Sequence, residues 1–148
     1  MRNRGWRLAA ALCGVVVALD QAAKAAVEAN LAPGEQVEVL GPLSLTLVHN
    51  RGIAFGLASG GGGLLIALTV VALLFVAALF ARGPEQPAMW LATGLLVGGA
   101  FGNLADRVRA DAVTDYVDVL SWPPFNLADV AITAGVVVLG LSYVRQAR

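Results

Sequence analysis

The chain has 148 residues, of which 58% are hydrophobic and 14% charged, with ten basic and ten acidic side chains that cancel. Soluble domains carry about 25% charged residues, so this composition excludes a soluble globular domain, and its apolar content excludes disorder. Zero net charge gives no electrostatic reason to bind nucleic acid, and the whole of 1–148 reads as one integral membrane domain.

The first apolar block follows Arg2, Arg4 and Arg7 and is read as a span over about 7–27. Its basic start, and Ala22, Ala23, Ala25 and Ala26 behind it, imitate a secretory signal peptide. Cleavage there would discard Asp20 and Lys24, so an uncleaved span is preferred. Cys13 does not mark a lipoprotein, because Leu12 is too bulky for a lipobox and the preceding apolar run is short. Asp20 and Lys24 stand four apart with the acid first, the better order for a helical ion pair. They are read as a structural pair easing two charges into the outer end of span one.

An outer β segment is expected at about 35–56. Residues 37–40 and 43–49 read as short strands, with Leu43, Leu45 and Leu47 alternating against Ser44 and Thr46, and Gly41-Pro42 as the turn. Asn50-Arg51-Gly52-Ile53-Ala54-Phe55-Gly56 follows. Gly52 and Gly56 permit backbone conformations that side chains forbid, and Asn50 can bond local or substrate backbone. His49, the single histidine, is read as a surface residue. Gly60 to Gly63 is expected to be a flexible connection into span two.

Residues 52–81 and 86–105 carry no charge, which places spans two and three at about 61–81 and 88–106. Gly94, Gly98 and Gly102 recur every four residues and form a stripe that lets helix backbones approach, a packing feature. Asn103 and Arg107 share one face at the outer end of span three. The Arg107 fork suits a carbonyl or headgroup oxygen, and Asn103 can orient a substrate backbone. The competing reading is a snorkelling Arg107 paired with Asp106 or Asp111.

The fourth span is the most informative. Residues 130–144, the uncharged run between Asp129 and Arg145, fall short of the minimum of about 17 needed to cross a bilayer. The helix must begin near Phe125 or Asn126, giving a span at about 126–145 that carries Asp129 into the edge of the hydrocarbon layer. An acid at a helix centre costs about 2.5–3.5 kcal/mol, so intramembrane acids usually have a function. Asp115 precedes it in a polar segment. One reading makes Asn126 an N-cap, Asp129 its capping-box partner and Asp115 an exposed loop acid. The other has the two carboxyls facing across a water and sharing one proton. One then acts as general base on the water, while its protonated partner polarises a scissile carbonyl and protonates the leaving amine. Asp118 is the main rival for membership of the pair.

Six basic residues (Arg2, Arg4, Arg7, Arg82, Arg145 and Arg148) fall on one side of these spans. Lys24, Arg51, Arg107 and Arg109 fall on the other, a bias that favours cytoplasmic termini. One histidine, one cysteine and no H-E-x-x-H argue against a zinc protease, and Ser44, Ser59, Ser121 and Ser142 lack an evident base.

Five blocks occur in order around the four spans. They are Asp20-Gln21-x-x-Lys24, Asn50-x-Gly52-x-Ala54-Phe55-Gly56, Gly102-Asn103-x-x-Asp106-Arg107, Val113-x-Asp115-Tyr116-x-Asp118 and Phe125-Asn126-x-Ala128-Asp129. Together they resemble the lipoprotein signal peptidases (signal peptidase II), a bacterial family of intramembrane aspartyl proteases. Tyr116 departs mildly from the apolar or aromatic residue, often Phe, usual there. The resemblance implies a membrane all-α fold: four transmembrane helices with a small extracytoplasmic β-sheet and a short extracytoplasmic helical segment. It implies Asp115 and Asp129 as the catalytic dyad, with Asn50, Gly52, Asn103, Arg107 and Asn126 lining or supporting the substrate site. Asp20, Lys24, Asp106 and Asp118 take structural or supporting places. The implied substrate is a prolipoprotein carrying diacylglycerol on its lipobox cysteine, cut just before that cysteine, by a membrane-lipid-embedded monomer of the bacterial cytoplasmic (inner) membrane that needs no metal or organic cofactor. The rival readings are a small transporter or proton-relay protein using the same acids, and a non-catalytic assembly protein that binds through its glycine stripe.

Overall fold

The computed structural model describes residues 4–52, 62–83, 85–120 and 122–146. Four helices, α1 (Arg4–Asn30), α2 (Gly62–Phe80), α3 (Pro87–Ala110) and α4 (Leu127–Gln146), are long and apolar enough to cross a membrane. Ile53, Ala54, Phe55, Gly56, Gly60 and Gly61 lie outside the described residues. The helix α3 runs beyond the expected end at 106, because Arg107 and Arg109 in its last turn complement the negative end of the helix dipole. It stops at Asp111, whose left-handed backbone (φ 54) turns its N–H onto the Arg107 carbonyl.

Glycine decides how the helices meet. Gly94 and Gly98 face Leu12 and Val16 of α1, and Gly102 faces Asp20, so the four-residue stripe meets a four-residue stripe. A methyl on Gly98 would lie 2.7 Å from the Val16 Cβ. On the other side of α3, Gly99 abuts the Ala128 carbonyl, and Gly135 of α4 abuts Leu96 and the Ala92 carbonyl. Small residues on both sides thus make α3 the helix on which α1 and α4 pack. The outward faces stay apolar, with Leu68, Val71, Leu74, Phe75, Val136 and Leu141 exposed, as lipid-facing surfaces require.

Strands β1 (Gln36–Leu40), β2 (Leu43–Asn50) and β3 (Val113–Val119) form an antiparallel sheet in the order β1-β2-β3. The first two match the expected hairpin. Gly41 (φ 55) followed by Pro42 makes its turn, a positive φ that glycine tolerates best. The third strand corrects the expected short helical segment: among the described residues between Ala110 and Leu127 none is helical. The reason is local, since Val113, Thr114, Tyr116, Val117 and Val119 are β-branched or aromatic and pack better on a pleated surface than on a helix.

Two irregularities aim the polar residues. A bulge between Leu45 and Val48 shifts the pairing from Leu45 opposite Val117 to Val48 opposite Asp115. Side chains alternate along a strand, so the extra residue exchanges faces. Asn50, rather than His49, therefore emerges on the face of Asp115. After β3, Leu120 (φ 56) reverses the chain and Phe125 bridges back to Val117. That return sets Asn126 and the start of α4 beside β3.

Candidate active site

A helix begins with backbone N–H groups that have no partner within it. At α4 each is met by a side chain from elsewhere in the site. Asn126 Oδ1 accepts from the Asp129 N–H at 3.0 Å, and Asp129 Oδ2 accepts from the Asn126 N–H at 3.2 Å, a reciprocal capping box. Leu127 N–H donates to the Tyr116 hydroxyl at 3.3 Å, and Ala128 N–H donates to Asp20 Oδ1 at 3.0 Å. The Tyr116 departure thus has a use that Phe could not supply.

The cap does not displace the other reading. Asn126 Nδ2 donates to Asp115 Oδ1 at 2.7 Å, so one asparagine is bonded to both aspartates. Asp115 is 3% exposed and is not a loop acid on the surface. Its Oδ2 accepts from Asn50 Nδ2 at 2.9 Å. Gly52, at φ 73, donates its N–H to Asn50 Oδ1 at 2.8 Å, which turns the nitrogen end of that amide toward Asp115. Burial lifts the Asp115 carboxyl to about 6; the Asp129 charge pushes the same way, against the Asn50 and Asn126 amides. Asp118, three residues along the strand, points to the opposite face and accepts from Gln36 Nε2 at 3.1 Å.

Behind the pair lies a buried ionic cluster. Lys24 Nζ stands 2.8 Å from Asp20 Oδ2 and 2.7 Å from Asp106 Oδ2, and donates to Asn103 Oδ1 at 3.0 Å. The expected Asp20–Lys24 pair is present, and its reach extends to α3. Arg109 pairs with Asp106 at 3.1 Å and also touches Gln21, whose Nε2 donates to Asp106 Oδ1 at 3.0 Å. Gln21, present in the first of the five blocks, and Arg109, one of the outer bases, were given no place in the site; their signal was the face they share with Lys24 and Asp106. Among the described residues, no buried side-chain nitrogen or oxygen lacks a partner.

Arg107 pairs with neither Asp106 nor Asp111 among the described residues. With Asn103 and Asp129 it lines the polar end of an otherwise apolar cavity of about 320 Å³ between α2, α3 and α4. A second apolar hollow, lined by Trp122, Phe125, Val130 and Thr133, reaches Asp129 from the other flank. All the expected site residues except Asp118 thus gather around one helix end. The arrangement brings two carboxyls, that of Asp115 raised by burial, beside apolar space, a setting suited to acid–base hydrolysis of a membrane-held amide.

Four spanning helices with such a cluster define a multi-pass membrane protein with an enzyme-like site. The profile of the family described as Signal peptidase (SPase) II matches residues 12–145. A lipoprotein signal peptidase of Moorella thermoacetica is 42% identical over 127 residues, covering 84% of this chain and 85% of its own. That of Nitratidesulfovibrio vulgaris is 35% identical over 156 residues, covering 99% and 94%. A bacterial membrane enzyme solved by the in meso method at 1.9 Å superposes with a TM-score of 0.86 at 29% identity, covering 91% of each chain. The chain belongs to the signal peptidase II family.

Proposed function

We propose that the protein is an intramembrane aspartyl endopeptidase. It removes the signal peptide from diacylglyceryl-modified bacterial prolipoproteins, cutting just before the lipidated cysteine, with Asp115 and Asp129 as the catalytic pair. The observation that carries this is Asn126, whose side chain binds one aspartate and whose backbone binds the other. The substrate class follows from the relatives, named lipoprotein signal peptidases. The transporter reading finds no support in that family.

The chemistry is an addition and an elimination. One carboxylate takes a proton from a water held between the pair as the water oxygen attacks the scissile carbonyl carbon. The protonated partner hydrogen-bonds the carbonyl oxygen, whose developing charge it stabilises. Collapse of the tetrahedral intermediate breaks the C–N bond, and the proton passes to the departing amine. Asn50, Gly52, Asn103, Arg107 and Asn126 shape and line the substrate site, with the Arg107 fork directed at a carbonyl or headgroup oxygen. The acyl chains of the substrate hold its scissile bond at membrane depth, so the helix-end pair meets it without extraction. The enzyme works as a monomer in the cytoplasmic membrane, with termini in the cytoplasm and sheet and site outside.

Purified protein in detergent, without any gradient, is expected to cleave a diacylglyceryl-modified prolipoprotein and to leave its unlipidated form nearly intact. Cleavage that needs sealed vesicles and a gradient would favour the relay instead. The pH dependence carries a second expectation. The pair works with one proton, so kcat/KM, which reports the free enzyme, rises as one carboxyl ionises and falls as the other passes about 6. Substrate covers the site and excludes water, so the falling limb of kcat lies at higher pH. A rate that only climbs until the protein unfolds contradicts the shared proton.

A further inference from the structure

Asn103 stands between Lys24 and Asp129, 6% exposed. Its Oδ1 accepts from Lys24 Nζ at 3.0 Å and from Asn126 Nδ2 at 3.1 Å, and its Nδ2 donates to Asp129 Oδ1 at 2.8 Å. The reverse orientation of this amide would set its NH2 against an ammonium and another NH2, and its oxygen against a carboxylate. The cation therefore dictates which end of Asn103 faces Asp129. We infer that Lys24 is a positioning residue which, acting through the Asn103 amide, keeps Asp129 as the ionised member of the pair and leaves the proton on Asp115. This rests on the aspartyl reading above and adds the assignment of roles: Asp129 is the base that deprotonates water, and Asp115 the acid.

The surroundings agree with that division. Asp129 lies in the first turn of α4, where the helix dipole favours negative charge; each acid holds two N–H donors, but one of those on Asp129 is a backbone N–H of the helix start. Arg107 of α3 shares its cavity, while α2 brings only the uncharged Thr69 and apolar side chains there. From α1, Lys24 acts through Asn103, and Asp20 is engaged by the adjacent Ala128 N–H and by Lys24 itself. Asp106 lies behind Lys24, bonded to it. Asp115 sits on β3 and meets the start of α4 only through the Asn126 side chain; burial works against its charge more than any neighbour does, and Lys24 eases that charge less than the Asn50 and Asn126 amides do.

The test uses the full-length protein in detergent with a lipidated substrate, and its readout is the pH profile of kcat/KM. The double variant Lys24→Met, Asp106→Asn removes the cation together with one of its two buried acids, so the cluster keeps its net charge. Asn103→Leu removes the amide and leaves both Lys24 ion pairs intact. Each is expected to move the acid limb upward by roughly one pH unit, as for losing a hydrogen bond to a charged group; the alkaline limb stays in place in Asn103→Leu and drifts upward in the double variant, which also loses the Lys24 charge that lowers Asp115. Combining them should displace the acid limb no further, because both act through one contact. A lowered rate with the acid limb unmoved overturns the assignment and leaves Lys24 a structural residue. Should the double variant fail to fold, Lys24→Met with Asp20→Asn, whose amide oxygen can still accept from the Ala128 N–H, is profiled in its place and decides by the same criterion. A wild-type profile with no bell breaks the aspartyl reading, whereas a bell with an unmoved acid limb in the variants breaks only this inference.

Discussion

Asp115→Asn and Asp129→Asn are each expected to abolish cleavage of a diacylglyceryl-modified prolipoprotein, lowering kcat by about 10³-fold or more, while the protein still inserts and folds. The reasons differ at the two positions. With Asp115 as the proposed acid, an amide there has no acidic proton to transfer. It also sets an NH2 against the nitrogen end of Asn50 or Asn126, both of which now donate to Asp115 oxygens at 2.9 and 2.7 Å. An amide at 129 has no lone pair basic enough to take a proton from water, and must turn its remaining oxygen toward either Asn103 or the Asn126 N–H. Neither change leaves a cavity, so both variants should unfold within a few degrees of wild type. Asp118→Asn, on the far face of the sheet, is expected to cost far less. Single-turnover cleavage together with thermal unfolding of all four proteins checks this; near-normal cleavage by either dyad variant refutes the pair.

Much of this site was legible because charge and length constrain a membrane chain so tightly. The uncharged run 130–144 is too short to span, so Asp129 had to enter the helix, and it occupies the first turn of α4. The spacing of Asn126 and Asp129 announced a capping box, and the box is present. A cap at Asp129 is compatible with the proposed carboxyl pair. A carboxylate has two oxygens, and Asp129 gives Oδ2 to the cap and Oδ1 to Asn103.

The parts that escaped depend on register and on contacts between distant segments. The acids at 115 and 118 drew attention to charge and away from the β-branched residues between which they sit, so β3 was missed. No local pattern announces the bulge between Leu45 and Val48, which exchanges His49 for Asn50 on the face of Asp115. Lys24 was paired with Asp20 from spacing alone; its contacts with Asp106 and Asn103 join residues some eighty positions apart and leave no periodic trace. The glycine stripe was visible because it repeats every four residues. Gly99, one residue off that stripe, was not.

Gly99 nonetheless sets how closely α3 approaches the start of α4, and Gly99→Leu is expected to lose both stability and cleavage. A Cβ there would meet Ile132 Cγ1 at 2.8 Å and would press into the Ala128 carbonyl. Ile132 can rotate, but the carbonyl belongs to the first turn of α4 and has no rotamer to change. The helix start must move away from α3. It carries with it Asp129, the Ala128 N–H bonded to Asp20, and the Asn126 bridge to Asp115. Overpacking of this kind typically costs about 1–3 kcal/mol, and more where backbone is the obstacle. A displacement of about 1 Å at a reacting group costs on the order of 10²-fold in rate. Gly140→Leu on the same helix meets nothing within 4 Å and should leave both quantities close to wild type. The comparison separates close helix approach from a general intolerance of large residues in α4. If Gly99→Leu melts and cleaves like the parent, close approach of α3 to the α4 start is not what holds the two aspartates together.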